Sequence, residues 1–98
     1  MGREQLRTAI FETIEFITET ELRVSSKRLI LGYFNMSREE DSAQRARRAV
    51  ERYTQTELPT LDEIRGRKST NAMSRLDKLV LTMEMEARRF DSEPPDEE

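Results

Sequence analysis

Apolar residues recur with the period of an α-helix near both ends of this chain. Near the amino end the pattern covers residues 3–20, with Leu6, Ala9, Ile10, Ile14 and Ile17 at the apolar positions. Near the carboxyl end, spacings of three and four residues alternate through Met73, Leu76, Val80, Met83, Ala87 and Phe90. Such spacing places apolar side chains on one face of a helix. That face must be covered by other elements, so the pattern predicts a helical bundle.

Two further helices are predicted in the first half of the chain. One begins after Ser25 or Ser26 and ends near Asn35. Residues 27–34 are dense in apolar side chains, which favours a central helix, with a short strand as the alternative. The next helix is predicted to begin at Ser37, because Ser37 and Glu40 have the spacing of a capping box. We identify no internal repeat in the sequence.

The second half predicts a short helix and a long one. Thr60 and Glu63 form another capping box, which begins a short helix over 61–66. Ser69 or Thr70 begins the last helix, which reaches about Phe90. Residues 91–98 hold five acids and two prolines and no base, and are predicted to form a disordered acidic tail.

The predicted fold is therefore all-α, a compact bundle of four to five helices. Residues 1–90 form a single domain, since 98 residues suffice for one domain and not two. The residues predicted to be mostly buried are Leu6, Ile10, Ile14, Ile17, Leu29, Ile30, Phe34, Val50, Leu76, Val80 and Met83.

Composition excludes most kinds of enzyme and metal site. The chain has no cysteine and no histidine, so disulfides, a Ser-His-Asp triad and the usual zinc sites are excluded. The acids form no convergent pair, and no glycine-rich phosphate loop occurs, so we predict no enzymatic activity, metal or cofactor. No apolar run approaches the roughly 20 residues of a transmembrane helix, and no signal peptide is recognised. We expect a cytoplasmic protein without a membrane partner.

Basic residues suggest a candidate binding surface on the third predicted helix. The net charge is −3, but five of the 20 acids lie in the last eight residues, which leaves 17 bases and 15 acids before them. Arg45, Arg48 and Arg52 recur at helical spacing, with Arg47 beside them. They are predicted to contact the phosphates and base edges of DNA. The alternative is a solvated face whose arginines pair with nearby acids.

Residues 60–80 resemble a helix-turn-helix unit. A short helix with Glu63-Ile64 leads to the basic pair Arg67-Lys68, and a second helix follows with Ser69-Thr70-Asn71 and Arg75-Leu76. The resemblance implies that the second helix lies in a DNA groove. It implies base contacts from Ser69, Thr70, Asn71 and Arg75 and backbone contacts from Arg67, Lys68 and Lys78. An ordinary helical hairpin is the alternative.

The apolar face of the last helix has two possible partners. It could pair with the same helix of a second copy, with Met73, Leu76, Val80, Met83, Ala87 and Phe90 at the dimer interface. It could instead pack on the first helix of its own chain. The leading prediction is a small DNA-binding protein, a transcriptional regulator or a viral or plasmid accessory factor, that binds duplex DNA as a homodimer. The alternative is a non-enzymatic helical protein-interaction module or a small subunit of a larger assembly, with a protein partner.

Overall fold

A computed structural model of the chain describes residues 2–36, 38–68 and 73–93. These residues form five helices and contain no strand, which confirms the all-α bundle and excludes the short strand over 27–34. The helices are α1 (Gly2–Thr18), α2 (Val24–Met36), α3 (Ser42–Thr54), α4 (Leu61–Lys68) and α5 (Arg75–Ser92).

The core lies where α1, α3 and α5 meet. Helix α5 runs back along α1, since Gly2 lies beside Glu93 and Glu12 shares a groove with Thr82. Most of the predicted core is confirmed, and the residues found buried are Leu6, Ile10, Ile14, Ile30, Phe34, Val50, Val80 and Met83. Ile17 and Leu76 are half-buried. Leu29 was predicted to be buried, but its side chain is 48% exposed because it lies on the outer face of α2.

The starts of α2 and α3 differ from the prediction. Helix α2 begins at Val24, before both predicted capping serines. Helix α3 begins at Ser42, where the Asp41 carboxylate accepts a hydrogen bond of 2.9 Å from the amide of Gln44. The predicted start at Ser37, a residue outside the described ranges, is therefore wrong. Asp41 takes this role because its side chain reaches a free amide of the first turn.

The predicted start of α4 is confirmed, whereas the predicted start of α5 is wrong. The Thr60–Glu63 capping box is confirmed, with hydrogen bonds of 2.9 and 3.1 Å, although α4 continues past Gly66 to Lys68. Helix α5 begins at Arg75, with Ser74 as its cap and a capping box to Asp77. The predicted caps Ser69 and Thr70 lie outside the described residues, and the long helix does not begin at either of them.

The predicted boundary after residue 90 is also wrong. Helix α5 continues to Ser92, and the Asp91 carboxylate accepts hydrogen bonds from the Ser42 amide (2.9 Å) and hydroxyl (2.6 Å). Asp91 thus fixes the end of α5 to the start of α3 and belongs to the folded domain. Residues 94–98 of the predicted tail lie outside the described residues.

Helices α1 and α3 end in the same way, which corrects the prediction that the chain has no internal repeat. Residues 15–22 read EFITETEL and residues 51–58 read ERYTQTEL, identical at five of eight positions. Glu19 and Gln55 occupy the same position and both have a φ of 56°. We call each eight-residue segment a helix-end motif. The motif turns the chain out of one helix towards the next.

Hydrogen bonds within the two motifs also correspond. The Glu15 carboxylate accepts from the Leu22 amide at 2.9 Å, and the Glu51 carboxylate accepts from the Leu58 amide at 2.8 Å. Both leucine side chains are buried in the core. Each motif therefore combines a left-handed residue after the helix, a carboxylate that receives a loop amide, and an apolar anchor.

Candidate interaction surfaces

The three predicted DNA-contacting arginines of α3 each interact with groups of this chain. Arg45 donates from Nε to the carbonyl of Phe34 at 3.0 Å, and its guanidinium lies 4.2 Å from the centre of the Phe34 ring. Arg48 pairs with Glu40 at 2.8 Å, and Arg52 lies 4.7 Å from the centre of the Tyr33 ring. Two of the three arginines thus hold α2 against α3, and the third holds the segment between them.

The fourth arginine of this group, Arg47, has a structural role that the sequence analysis did not identify. Arg47 donates to the carbonyls of Leu58 and Pro59 at 3.2 and 2.9 Å. The same guanidinium pairs with the buried carboxylate of Glu84 on α5 at 3.0 Å. One side chain thereby joins α3, the α3–α4 connection and α5. In the sequence alone, Arg47 resembles its neighbours, and only the fold distinguishes it.

Arg67, predicted to bind the DNA backbone, forms a two-pronged ion pair with Asp77 of α5. The two hydrogen bonds measure 2.7 and 3.0 Å, and the Asp77 side chain is only 2% exposed. These bonds lower the pKa of the Asp77 carboxyl against the opposing effect of burial, and the Ser74 amide lowers it further. The Arg67–Asp77 pair ties α4 to α5 and engages the guanidinium proposed for phosphate contact.

The rest of the helix-turn-helix site is only partly described. Arg75 and Lys78 are exposed on the first turn of α5. The predicted contacts Ser69, Thr70 and Asn71 lie outside the described residues, as does the side chain of Lys68. Helix α4 is described to Lys68 and α5 begins at Arg75. The helix-turn-helix resemblance stays a prediction.

The apolar face of α5 is largely covered by its own chain. Val80, Met83 and Ala87 have no exposed surface and belong to the core formed with α1 and α3. Met73, Leu76 and Phe90 are half-buried against that core. This corrects the predicted interface, because three of its six residues cannot reach a second copy unless the bundle opens. Homodimer formation itself stays a prediction.

Helix α2 leaves three apolar side chains exposed among the described residues, and two of them share one side of the helix. Ile30 and Phe34 point into the core, whereas Val24, Leu29 and Met36 are 67%, 48% and 63% exposed. Residues 22–36 also contain three bases and no acid. Leu29 and Met36 lie two turns apart on one side of α2, and exposed large apolar side chains that share one side of a helix are candidates for a binding surface. We call this the outer face of α2.

A cleft of about 340 Å³ opens between the first half of α1 and the second half of α2. Its floor is apolar, formed by Leu6, Ile10, Leu31, Phe34 and Phe90, and its rim carries Arg3, Arg7, Asn35 and Arg45. No acid is among these lining residues. Lys27 lies 5.4 Å from the centre of the Phe11 ring, a contact that joins α1 and α2 farther along the two helices. We call this cavity the α1–α2 cleft.

Other kinds of site receive no support from the described part of the chain. It contains no group of three or more acids placed to hold a metal ion. None of its helices combines the length and apolar character needed to cross a bilayer. Comparisons with protein-family models, with curated proteins and with solved structures found no match to this chain. Its functional interpretation therefore depends on its own surfaces.

Proposed function

We propose that this protein is a non-enzymatic protein-interaction module that binds a partner through α2. The observation that carries the proposal is the outer face of α2, where Leu29 and Met36 lie in solvent on a helix without acids. Exposing large apolar side chains has no benefit for folding, since burial of each would contribute about 1.5–3 kcal/mol. A partner that covers this face recovers part of that contribution, less the entropy lost on association.

Internal pairing of the arginines also favours a protein partner over DNA. Arg48 and Arg67 have carboxylate partners, and Arg45 donates to a main-chain carbonyl. A phosphate would have to displace these contacts or bind beside the acids. We therefore assign these arginines mainly to holding the bundle together, which leaves the apolar outer face as the stronger candidate for binding.

The test compares two exposed methionines that differ in position only. Met36→Glu, alone and then together with Leu29→Glu, places charge on the outer face of α2, whereas Met85→Glu is the matched single change on α5, where Met85 is as exposed as Met36. Partners purified with the tagged chain from its native cells, and then rebound as pure proteins, should be lost with the α2 variants and kept with the Met85 variant. Equal binding by the α2 variants and the Met85 variant would refute the proposal.

Duplex DNA is the second candidate partner, because Arg75 and Lys78 are exposed beside the start of α5. Helix starts favour phosphate through free amides and the helix dipole. A transcriptional regulator acting as a cytoplasmic homodimer would use this end of α5. Fluorescence anisotropy on mixed duplex DNA at two salt concentrations tests it. Affinity should fall steeply with salt and weaken on Arg75→Ala with Lys78→Ala.

A further inference from the structure

We propose that the α1–α2 cleft binds a short segment of a partner protein in which a large apolar side chain is flanked by carboxylates. This inference rests on the proposed function and specifies the chemistry of the partner. It concerns a surface distinct from the outer face of α2, so the two can be tested separately.

The floor of the cleft determines the apolar part of the ligand. Leu6, Ile10 and Phe34 are buried, while Leu31 and Phe90 are half-buried and present apolar surface to the opening. A volume of about 340 Å³ lies at the small end of the range for ligand pockets. It is suited to one large side chain, and an apolar group placed there displaces water from the floor.

The rim determines the charge of the ligand. Arg3 and Arg7 are exposed one helical turn apart on α1, and neither has a carboxylate partner among the described residues. Arg45 lies across from them, held in place by the Phe34 carbonyl and ring. Arg3 and Arg7 are the groups that can form paired hydrogen bonds with carboxylates, and Arg45, already engaged with Phe34, adds positive charge across a cleft whose lining contains no acid.

The shape of the cleft favours a peptide segment. The arginines of α1 and the residues of α2 lie on opposite walls, and the α1 wall extends for about two helical turns, roughly 10 Å, while the α2 wall extends for about one turn, roughly 6 Å. A segment lying between them can present acids to both walls on either side of its apolar residue. The chain's own residues 94–98 supply acids but no large apolar side chain, so they match the rim and not the floor.

The experiment measures binding of labelled synthetic peptides to the full chain by fluorescence anisotropy. The test peptide has a central phenylalanine flanked by aspartates and glutamates. One control peptide replaces the phenylalanine with serine, and another replaces the acids with asparagine and glutamine. We expect each control to bind at least about tenfold more weakly, which corresponds to about 1.4 kcal/mol. Equal binding of the neutral peptide would overturn the proposal.

Protein variants locate the site. Arg3→Gln and Arg7→Gln should each weaken binding of the acidic peptide several-fold, and together by about tenfold or more. Arg65→Gln is the matched control, because Arg65 is an exposed arginine of α4 outside the cleft. It should leave the affinity within about twofold. Circular dichroism of each variant checks that the fold is kept.

NMR chemical shifts separate this inference from the proposed function. Peptide-induced shifts at Leu31, Phe34 and Phe90 support the cleft. Shifts confined to Leu29 and Met36 would overturn the cleft while leaving the interaction module intact. Loss of the partner on changing Leu29 and Met36, without binding of any acidic peptide, would have the same meaning.

Two other occupants are tested in the same assay. If duplex DNA, and not the peptide, binds in a way that depends on Arg3 and Arg7, the cleft is a nucleic-acid contact and the proposal is wrong. If the peptide binds only when Asp96, Glu97 and Glu98 are changed to their amides, the chain's own acidic end occupies the cleft. That result would also overturn the proposal that a partner protein occupies the cleft.

Discussion

The connections α1–α2 and α3–α4 begin with the same motif but lead to different helices. Residues 15–22 and 51–58 share the carboxylate, the left-handed residue and the buried leucine. Helix α2 then runs for 13 residues with three exposed apolar side chains. Helix α4 runs for eight and begins with a capping box and two acids. A shared turn thus determines how the chain leaves a helix, and the residues that follow determine the length and the exposed surface of the next helix.

The two connections also differ in how they are fixed to the rest of the molecule. Arg47 ties the α3–α4 connection to α5 through two carbonyls and Glu84. Arg67 ties the end of α4 to α5 through Asp77. Arg47 lies four residues before Glu51, and the corresponding position before Glu15 is Phe11, which contacts Lys27 instead. The first connection therefore depends more on its own motif.

Truncation of the anchor leucines should have the largest effect. Leu58→Ala should lower the free energy of unfolding by about 2–5 kcal/mol, since it leaves a cavity beneath the chain. Leu22→Ala should cost somewhat less, because Leu22 is slightly more exposed. Denaturation with urea measures both. A negligible loss at Leu58 would show that the motif does not anchor the connection.

Removal of Arg47 should show most clearly that the two connections differ in how they are stabilised. Arg47→Ala leaves two carbonyls without their donor and leaves the buried Glu84 with Arg88 at 3.5 Å as its remaining partner. The expected loss is about 3 kcal/mol. Arg48→Ala is the control, since its exposed pair with Glu40 contributes about 0–1 kcal/mol. Similar losses for the two variants in urea denaturation would contradict the role assigned to Arg47.

Acidification should weaken the attachment of α4 to α5, because it protonates Asp77. The pKa of this carboxyl is lowered in the folded state from its ordinary value of 3.8. The pair therefore contributes its full stability above that value and loses it as the pH falls towards the folded pKa. The difference in free energy of unfolding between wild type and Asp77→Asn should be constant above about pH 5 and shrink below pH 4. A constant difference down to pH 2 would contradict this.

The motif carboxylates should have similar effects in the two motifs, with a slightly larger loss at Glu51, which also lies 3.9 Å from the Arg47 guanidinium. Glu15→Ala and Glu51→Ala each remove the acceptor of a loop amide and should cost about 1–2 kcal/mol. Glutamine at either position keeps an acceptor and should restore part of the loss. Glu21→Ala and Glu57→Ala change the exposed glutamate of the same motifs and should stay within about 0.5 kcal/mol. Thermal denaturation of all six variants compares the two motifs directly. A large loss of stability in only one motif would refute their equivalence.

The sequence predicted the helices better than their ends and their contacts. The apolar spacing of α1 and α5 identified two long helices and most of the core. Several polar residues near each start could act as a cap, and Asp41 and Ser74 were missed because the choice depends on backbone geometry. Arg47 could not be distinguished from Arg45, Arg48 and Arg52, since burial against α5 arises only in the fold. The repeated ending was visible in the sequence, because residues 15–22 and 51–58 share five of eight positions.

The cleft could not be predicted from the same patterns. In the sequence, Arg3 and Arg7 fall outside the apolar positions of α1, and nothing local places them opposite Leu31 and Arg45. These residues line one cleft only because the packing of α1, α2 and α3 brings them together in the fold. The exposure of Leu29 was missed for a related reason, since its dense apolar surroundings indicate burial while only one face of α2 is covered.

The smallest expected effect has the opposite sign and tests whether the two motifs share a backbone conformation. Glu19 and Gln55 both have a φ of 56°, a left-handed conformation that costs a residue with a Cβ about 1–2 kcal/mol and costs glycine much less. Glycine also loses more freedom on folding, which offsets part of this gain. The net effect of Glu19→Gly should therefore be a stabilisation of about 0.5–1 kcal/mol. Gln55→Gly should gain less, because it also loses the 2.8 Å hydrogen bond that the Gln55 side-chain Nε2 donates to the Arg52 carbonyl. Thermal denaturation measures both, and a loss of stability with Glu19→Gly would show that the first motif lacks the left-handed ending of the second.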